Sequence, residues 1–87
     1  MYVIMVYDVQ VERVAKVLKV GRRYLSWVQN SVLEGALTRT QFQRLHAEVQ
    51  RIINPEADSV LFYTLRSEKD IRRVQIGRAK GGPDFLV

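Results

Sequence analysis

The chain has 87 residues, a formal net charge of +5 and no cysteine, with 47% hydrophobic and 26% charged residues. These values indicate one small globular domain, and they exclude disulfides, thiolate catalysis and cysteine-based zinc sites. A single histidine, His46, excludes a histidine-rich metal centre. The chain has no apolar run near the ~18 residues of a membrane span and no signal-peptide pattern, so we expect a cytoplasmic protein with no membrane partner.

The first elements are a strand and a helix. Residues 2–7 carry apolar side chains on both faces of an alternating pattern, which predicts a central strand that is covered on two sides. Residues 11–20 change to a helical period, with basic side chains opposite the apolar stripe. Gly21 is predicted to end this helix, because glycine is common just after a helix C-terminus.

The middle of the chain predicts a strand pair and a second helix. The stretch YLSWVQNSVLEGAL is rich in β-forming residues with a polar break in its centre, so we place strands near 24–28 and 31–36. Thr38 and Gln41 have the spacing of a capping box, which predicts the start of a helix. That helix is predicted to end before Pro55, because proline restricts the residue that precedes it.

The last elements complete a recognisable order. Residues 59–65 form another strand pattern with two apolar faces, and the alternation over 71–76 predicts a fifth strand. The order predicts an α+β fold, a ferredoxin-like β-α-β-β-α-β sandwich with an additional C-terminal strand. Residues 1–78 are expected to form this domain, and residues 79–87 a tail that docks on a dimer partner.

The predicted sheet has one face that the helices do not cover. In this fold both helices pack on the same side, yet the first and fourth strands are apolar on the other side as well. A chain of this length has no third layer to cover that face. We therefore expect a homodimer that packs sheet to sheet about a two-fold axis.

Asp8 follows the first strand directly and has two interpretations. It precedes the first helix and could cap it, as aspartate often does. If the strand geometry continues, it lies instead on the face that carries Tyr2, Ile4 and Val6. A carboxylate at the edge of an apolar dimer face requires a partner, and a cation shared by two copies would meet that need. Mg²⁺ suits such oxygen ligands and keeps several waters.

A basic patch lies on and after the first helix. Between residues 12 and 23 five basic residues stand against one acidic residue. Ordinary solubility is one explanation, and nucleic-acid binding through phosphate contacts is the other. The candidate nucleic-acid-binding residues are Arg13, Lys16, Lys19, Arg22 and Arg23.

Three stretches in order resemble a known family. They read MYVIMVYDV, VQNSVLEGAL and PEADSVLFYTL, and together they cover most of residues 1–65. This ordered set looks like the small CRISPR-associated adaptation protein, the Cas-two family. The resemblance implies a ferredoxin-like homodimer described as a metal-dependent endonuclease on RNA or DNA. It also implies a role as the adaptor between copies of the CRISPR integrase, gripping double-stranded protospacer DNA.

The resemblance assigns roles to particular residues. The family's metal and catalytic aspartate corresponds to Asp8 and its tyrosine to Tyr7, while Ser31 and Glu34 match the middle motif. The basic residue often found before Val-Gln is Trp27 in this chain.

A second departure, Leu33 where the family has an aromatic residue, bears on catalysis more than on fold. Two functions therefore stay open. The first is an Asp8-dependent phosphodiesterase assisted by Mg²⁺, with Mn²⁺ as an alternative. The second is a non-catalytic adaptor for duplex DNA and CRISPR integrase subunits. A ligand-sensing domain of the same topology would carry a glycine-bearing loop after the first strand, and this chain lacks one.

Overall fold

A computed structural model of the chain describes residues 1–77. The elements in chain order are β1 (Tyr2–Asp8), α1 (Val11–Tyr24), β2 (Ser26–Gln29), β3 (Val32–Ala36), α2 (Arg39–Ile52), β4 (Ser59–Leu65) and a 3-10 turn (Glu68–Asp70). Within this range of the chain, no helix is long and apolar enough to cross a bilayer.

The strands form an antiparallel sheet in the order β2-β3-β1-β4, with β1 in the interior between β3 and β4. This arrangement confirms the predicted ferredoxin-like sandwich. Strand β1 is an interior strand of the sheet, as predicted, whereas β4, which is also apolar on both faces, is an edge strand. The predicted strand at 59–65 has the same bounds as β4, and the two middle strands begin one or two residues later than predicted.

The two helices cover one face of the sheet. Val3, Met5 and Leu33 point toward them and are fully buried, together with Val17 of α1 and Leu45 of α2. Strand alternation therefore places the even-numbered residues of β1 on the opposite face, which we call the open face. The registers to β3 and β4 add the residues that lie opposite them. The open face carries Tyr2, Ile4, Val6, Asp8, Val32, Glu34, Ala36, Ser59, Leu61, Tyr63 and Leu65.

The prediction that Gly21 ends the first helix is wrong, because α1 continues to Tyr24. Gly21 is buried, and a Cβ built on it would lie 2.4 Å from Leu33 Cδ1. The residue is small because the helix approaches the sheet closely there. The predicted capping box is confirmed, since the Thr38 side chain accepts from Gln41 N and the Gln41 side chain accepts from Thr38 N.

After β4 the chain turns back over part of the open face. Ser67 begins the 3-10 turn, and the extended residues that follow bring Arg73 to the Glu34 carboxylate. Residues 73–75 and Glu34 border a cleft of about 230 Å³ together with Val28 and Gln29 of β2. We call residues 66–75 the strap.

The predicted fifth strand at 71–76 is not formed in the single chain, where these residues belong to no sheet. Val74 and Ile76 are 82% and 95% exposed, because a strand needs a neighbouring edge and these residues reach none here. The predicted tail at 79–87 lies outside the described residues.

Candidate active site

Asp8 is the last residue of β1, and its side chain is exposed at one end of the open face. In the register between β1 and β4 it lies opposite Ser59. The residue that caps α1 is Gln10, without a side-chain capping bond, so the capping interpretation of Asp8 is wrong. The strand geometry continues to Asp8, as the alternative interpretation requires.

The apolar surface near Asp8 is the least covered part of the sheet. Leu61 and Tyr63 of β4 are 52% and 56% exposed, although both stand on an otherwise apolar face. At the opposite end of the face, Tyr2 is 8% exposed because the strap lies against it. The open face is therefore divided into a covered end near Tyr2 and an exposed end that includes Asp8.

A second carboxylate, Asp58, lies beside this end of the sheet but is buried, with a fully inaccessible side chain. Its Oδ1 accepts from Gln10 N at 2.9 Å and from Arg13 Nη2 at 3.0 Å. Its Oδ2 accepts from Arg13 Nε at 2.5 Å and from Asn54 N at 2.8 Å. One carboxylate thus joins the β1–α1 loop, the first turn of α1 and the turn before β4.

These contacts fix the charge of Asp58. The Arg13 guanidinium holds the pKa of the Asp58 carboxyl far below its usual range. Burial acts in the opposite direction, while the N–H groups of Gln10 and Asn54 add to the effect of Arg13. Asp58 is therefore ionised throughout the neutral range and holds Arg13 in a bidentate pair.

The predicted nucleic-acid-binding residues separate into two groups. The Arg13 side chain is 23% exposed, and its Nε and Nη2 atoms donate to Asp58, so this side of the guanidinium already has a protein partner. The other four, Lys16, Lys19, Arg22 and Arg23, are exposed on α1. Arg23 Nη2 lies 3.3 Å from Glu48 Oε1 in a surface pair that water weakens.

Tyr7, which the family resemblance singled out, is 5% exposed and lies in the core on the helix side. Its hydroxyl donates to the carbonyl oxygen of Asn30 at 2.9 Å. Burial raises the pKa of this phenol. Tyr7 therefore stabilises the β2–β3 turn and does not share the face of Asp8.

Glu34, from the middle motif, is a buried carboxylate at the covered end of the open face, 7% exposed. It accepts from the Tyr2 hydroxyl at 2.5 Å and forms an ion pair with Arg73 of the strap. Burial, followed by the negative charge of Glu34, raises the pKa of Tyr2. The sequence places Glu34 on the same face as Asp8, but it gives no sign that Tyr2 and Arg73 are its partners.

The described part of one chain offers few ligands to a metal ion. Among the residues that the structure describes, no three His, Cys, Asp or Glu side chains are grouped to hold a cation. Mg²⁺ keeps several waters and often binds proteins through only one or two carboxylates. The exposed Asp8 carboxylate fits this chemistry if a second chain provides another.

The comparisons with known proteins agree with the fold. The family described as CRISPR associated protein Cas2 matches residues 1–73. A "CRISPR-associated endoribonuclease Cas2" of Thermotoga maritima is 51% identical over 86 residues, which cover 99% of both chains. One of the same name from Dictyoglomus turgidum is 52% identical over 87 residues, all of both chains.

Solved structures give the same result. A crystal structure titled "Crystal structure of cas2" has a TM-score of 0.86 and 46% identity, covering 92% of this chain and 90% of the other. Streptococcus pyogenes Cas2 has a TM-score of 0.72 and 30% identity, covering 86% of this chain and 100% of the other. Because the family matches residues 1–73 and these relatives share about half of their residues with nearly the whole chain, this protein belongs to the CRISPR-associated Cas2 family.

Proposed function

We propose that two copies of the chain pack with their open faces together and form a metal-dependent endonuclease. The observation that carries this proposal is the exposed Asp8 carboxylate at the end of an exposed apolar sheet face. RNA is the proposed substrate because the relatives are named endoribonucleases, and DNA is the alternative.

The apolar residues of the open face support dimerisation. Leu61 and Tyr63 stay more than half exposed in one chain, and burying them against a second copy removes apolar surface from water. The exposed Val74 and Ile76 can add to the same interface once a partner offers a strand edge. The dimer is needed for chemistry as well, since the described part of each chain contributes a single exposed aspartate at this end of the face.

In the proposed site the Asp8 carboxylates of the two copies would hold a divalent cation, Mg²⁺ or its substitute Mn²⁺. When bound, the cation supplies an acidified water and offsets the charge that develops on the phosphate. Asp8 lies at the end of a paired strand, so its backbone is fixed before the cation arrives. The open-face position also brings the two carboxylates toward the partner chain rather than toward the helices.

The exposed basic residues of α1 are proposed to hold the nucleic-acid backbone. Contacts to phosphates carry no sequence information, so binding through Lys16, Lys19 and Arg22 should tolerate many nucleic-acid sequences. The helix begins three residues after Asp8, so Lys16, in its second turn, lies nearer along the chain to the proposed metal than Arg22, which is close to the other end of α1. A dimer doubles the net charge of +5, which increases this attraction.

A second candidate function is a non-catalytic adaptor that binds duplex DNA and CRISPR integrase subunits. It is favoured by the exposure of the basic residues on the helix layer, since Lys19 and Arg22 can bind phosphates without help from Asp8. The adaptor and the nuclease share the dimer and the salt-dependent affinity for nucleic acid. They differ in the need for Asp8.

The test compares purified wild-type protein with Asp8→Ala on RNA and DNA, in Mg²⁺, in Mn²⁺ and in a chelator. We expect kcat to fall by about 100-fold or more, because the variant loses the carboxylates that hold the cation. Asp70→Asn changes an exposed carboxylate in the strap and serves as the matched control. Cleavage that persists unchanged in Asp8→Ala contradicts the nuclease and leaves the adaptor, whose DNA affinity should fall with added salt.

A further inference from the structure

The buried pair of Asp58 and Arg13 lies next to the proposed catalytic residue. We infer that Asp58 is a positioning residue for Asp8, and that Arg13 acts through this pair. This inference rests on the proposed function and assigns it two supporting residues. It also gives Arg13 a role different from that of the exposed basic residues of α1.

The first argument is the number of segments that Asp58 joins. Its carboxylate accepts from the backbone of Gln10, two residues after Asp8, and from the backbone of Asn54 in the turn before β4. The remaining bonds come from Arg13, which belongs to the first turn of α1. The β1–α1 loop, the first turn of α1 and the turn before β4 therefore converge on one side chain.

The second argument is the position of the last pair in the sheet. Asp8 lies opposite Ser59, which is the residue after Asp58. On the β1 side, the backbone N–H of Gln10 donates to the Asp58 carboxylate. On the β4 side, Asp58 is the residue directly before Ser59, the partner of Asp8. Terminal pairs of a sheet fray easily, so a buried carboxylate that holds both strands beyond the last pair restricts the path of Asp8.

The third argument concerns what a metal site needs. A carboxylate that shares a cation with a copy of itself must keep its place within a fraction of an ångström, and the residues around it supply that order. Arg13 and Asp58 do not face the cation. They orient the β1–α1 loop that follows Asp8. Breaking the Arg13–Asp58 pair should therefore weaken metal binding more than nucleic-acid binding.

The experiment uses the full-length protein and three variants. Asp58→Asn removes one charge while keeping an acceptor, Arg13→Lys keeps the charge but loses the bidentate fork, and Glu56→Gln is the control. Glu56 is an exposed carboxylate in the same turn as Asp58. Mn²⁺ affinity is measured by titration without substrate, and kcat and KM are measured separately on RNA.

We expect Asp58→Asn to weaken Mn²⁺ binding by roughly tenfold and to lower kcat, with little change in KM for RNA. Arg13→Lys should give the same pattern to a smaller degree, and Glu56→Gln should match the wild type. If Asp58→Asn does not fold, Arg13→Lys decides the question, with hydrogen exchange at the Gln10 amide reporting the state of the loop.

Three results would overturn the positioning role or the proposed function. A folded Asp58→Asn or Arg13→Lys protein with wild-type Mn²⁺ affinity and kcat overturns the positioning role alone. A rise in KM for RNA with unchanged Mn²⁺ affinity in Arg13→Lys does the same, since it assigns Arg13 to phosphate binding. A wild-type protein without Asp8-dependent metal binding or cleavage overturns the proposed function, and the positioning role with it.

Discussion

The two faces of the sheet are similar in composition but differ in how they are covered. Facing the helices, Val3, Met5 and Leu33 are fully buried within a single chain. On the open face, Leu61 and Tyr63 remain more than half exposed. Strands β1 and β4 contribute apolar side chains to both faces, because apolar residues occupy successive positions along each of them.

This difference separates the residues that stabilise the chain from those that serve its function. The covered face is closed by α1 and α2, so its residues are fixed by packing within one molecule. Within residues 1–77 the strap alone covers part of the open face, near Tyr2, and the end with Asp8 is exposed. The proposed dimer would bring this exposed end against a second copy.

The largest expected effect tests the contrast between the faces directly. Leu45→Ala empties a site that is fully buried under the helices, and we expect it to lower the free energy of unfolding by about 2–5 kcal/mol. Leu61→Ala, on the open face, should cost less than about 1.5 kcal/mol in dilute protein, because half of its side chain is already in water.

Urea unfolding at several protein concentrations measures both changes. If the open face is the dimer interface, the cost of Leu61→Ala should grow with concentration, while that of Leu45→Ala stays constant. Equal costs at all concentrations would contradict the division of the sheet into two kinds of face.

A smaller effect is expected where α1 approaches the sheet. Gly21→Ala places a Cβ 2.4 Å from Leu33 Cδ1, and such overpacking costs about 1–3 kcal/mol. The gain in helix propensity, about 1 kcal/mol, offsets part of this cost. Arg22→Ala, at the next and exposed position, is the control in thermal unfolding. A Gly21→Ala protein more stable than the wild type would show that Leu33 can move aside.

The smallest effect concerns the covered end of the open face. Tyr2→Phe removes the hydroxyl that Glu34 binds and should cost about 1 kcal/mol at neutral pH. Because burial and Glu34 raise the pKa of Tyr2, the folded protein keeps the phenol proton where the unfolded chain releases it. The contribution of this group is present below pH ~10, the ordinary pKa of tyrosine, and is lost as the pH rises above it.

The measurement is the urea midpoint of wild type and Tyr2→Phe between neutral and alkaline pH. The wild type should lose more stability than the variant on the alkaline side. Glu34→Gln should give an intermediate slope, since burial still acts on Tyr2 without the nearby charge. Parallel profiles for all three proteins would show that Tyr2 does not titrate differently in the folded state.

The sequence predicted the local elements well where one residue pattern decides them. The capping box of Thr38 and Gln41 gave the start of α2, and alternation along β1 gave the open face as one of two positions for Asp8. It failed at Gly21, because a glycine that permits close packing and one that ends a helix look the same in a sequence. It also predicted a strand at 71–76 whose pairing edge the single chain does not supply.

By itself, the sequence determined the order of elements and the two apolar faces of the central strand, since these depend on spacing along a few residues. The choice between the two positions open to Asp8 needed the structure, because it depends on where β1 ends and which residue caps α1. The tertiary structure decided which charges meet. Arg13 and Asp58 are separated by 45 positions, and Tyr2 and Glu34 by 32, so no local pattern reveals these pairs. Each pair forms because folding removes its groups from water, and a buried charge or hydroxyl must then find its partner within the protein.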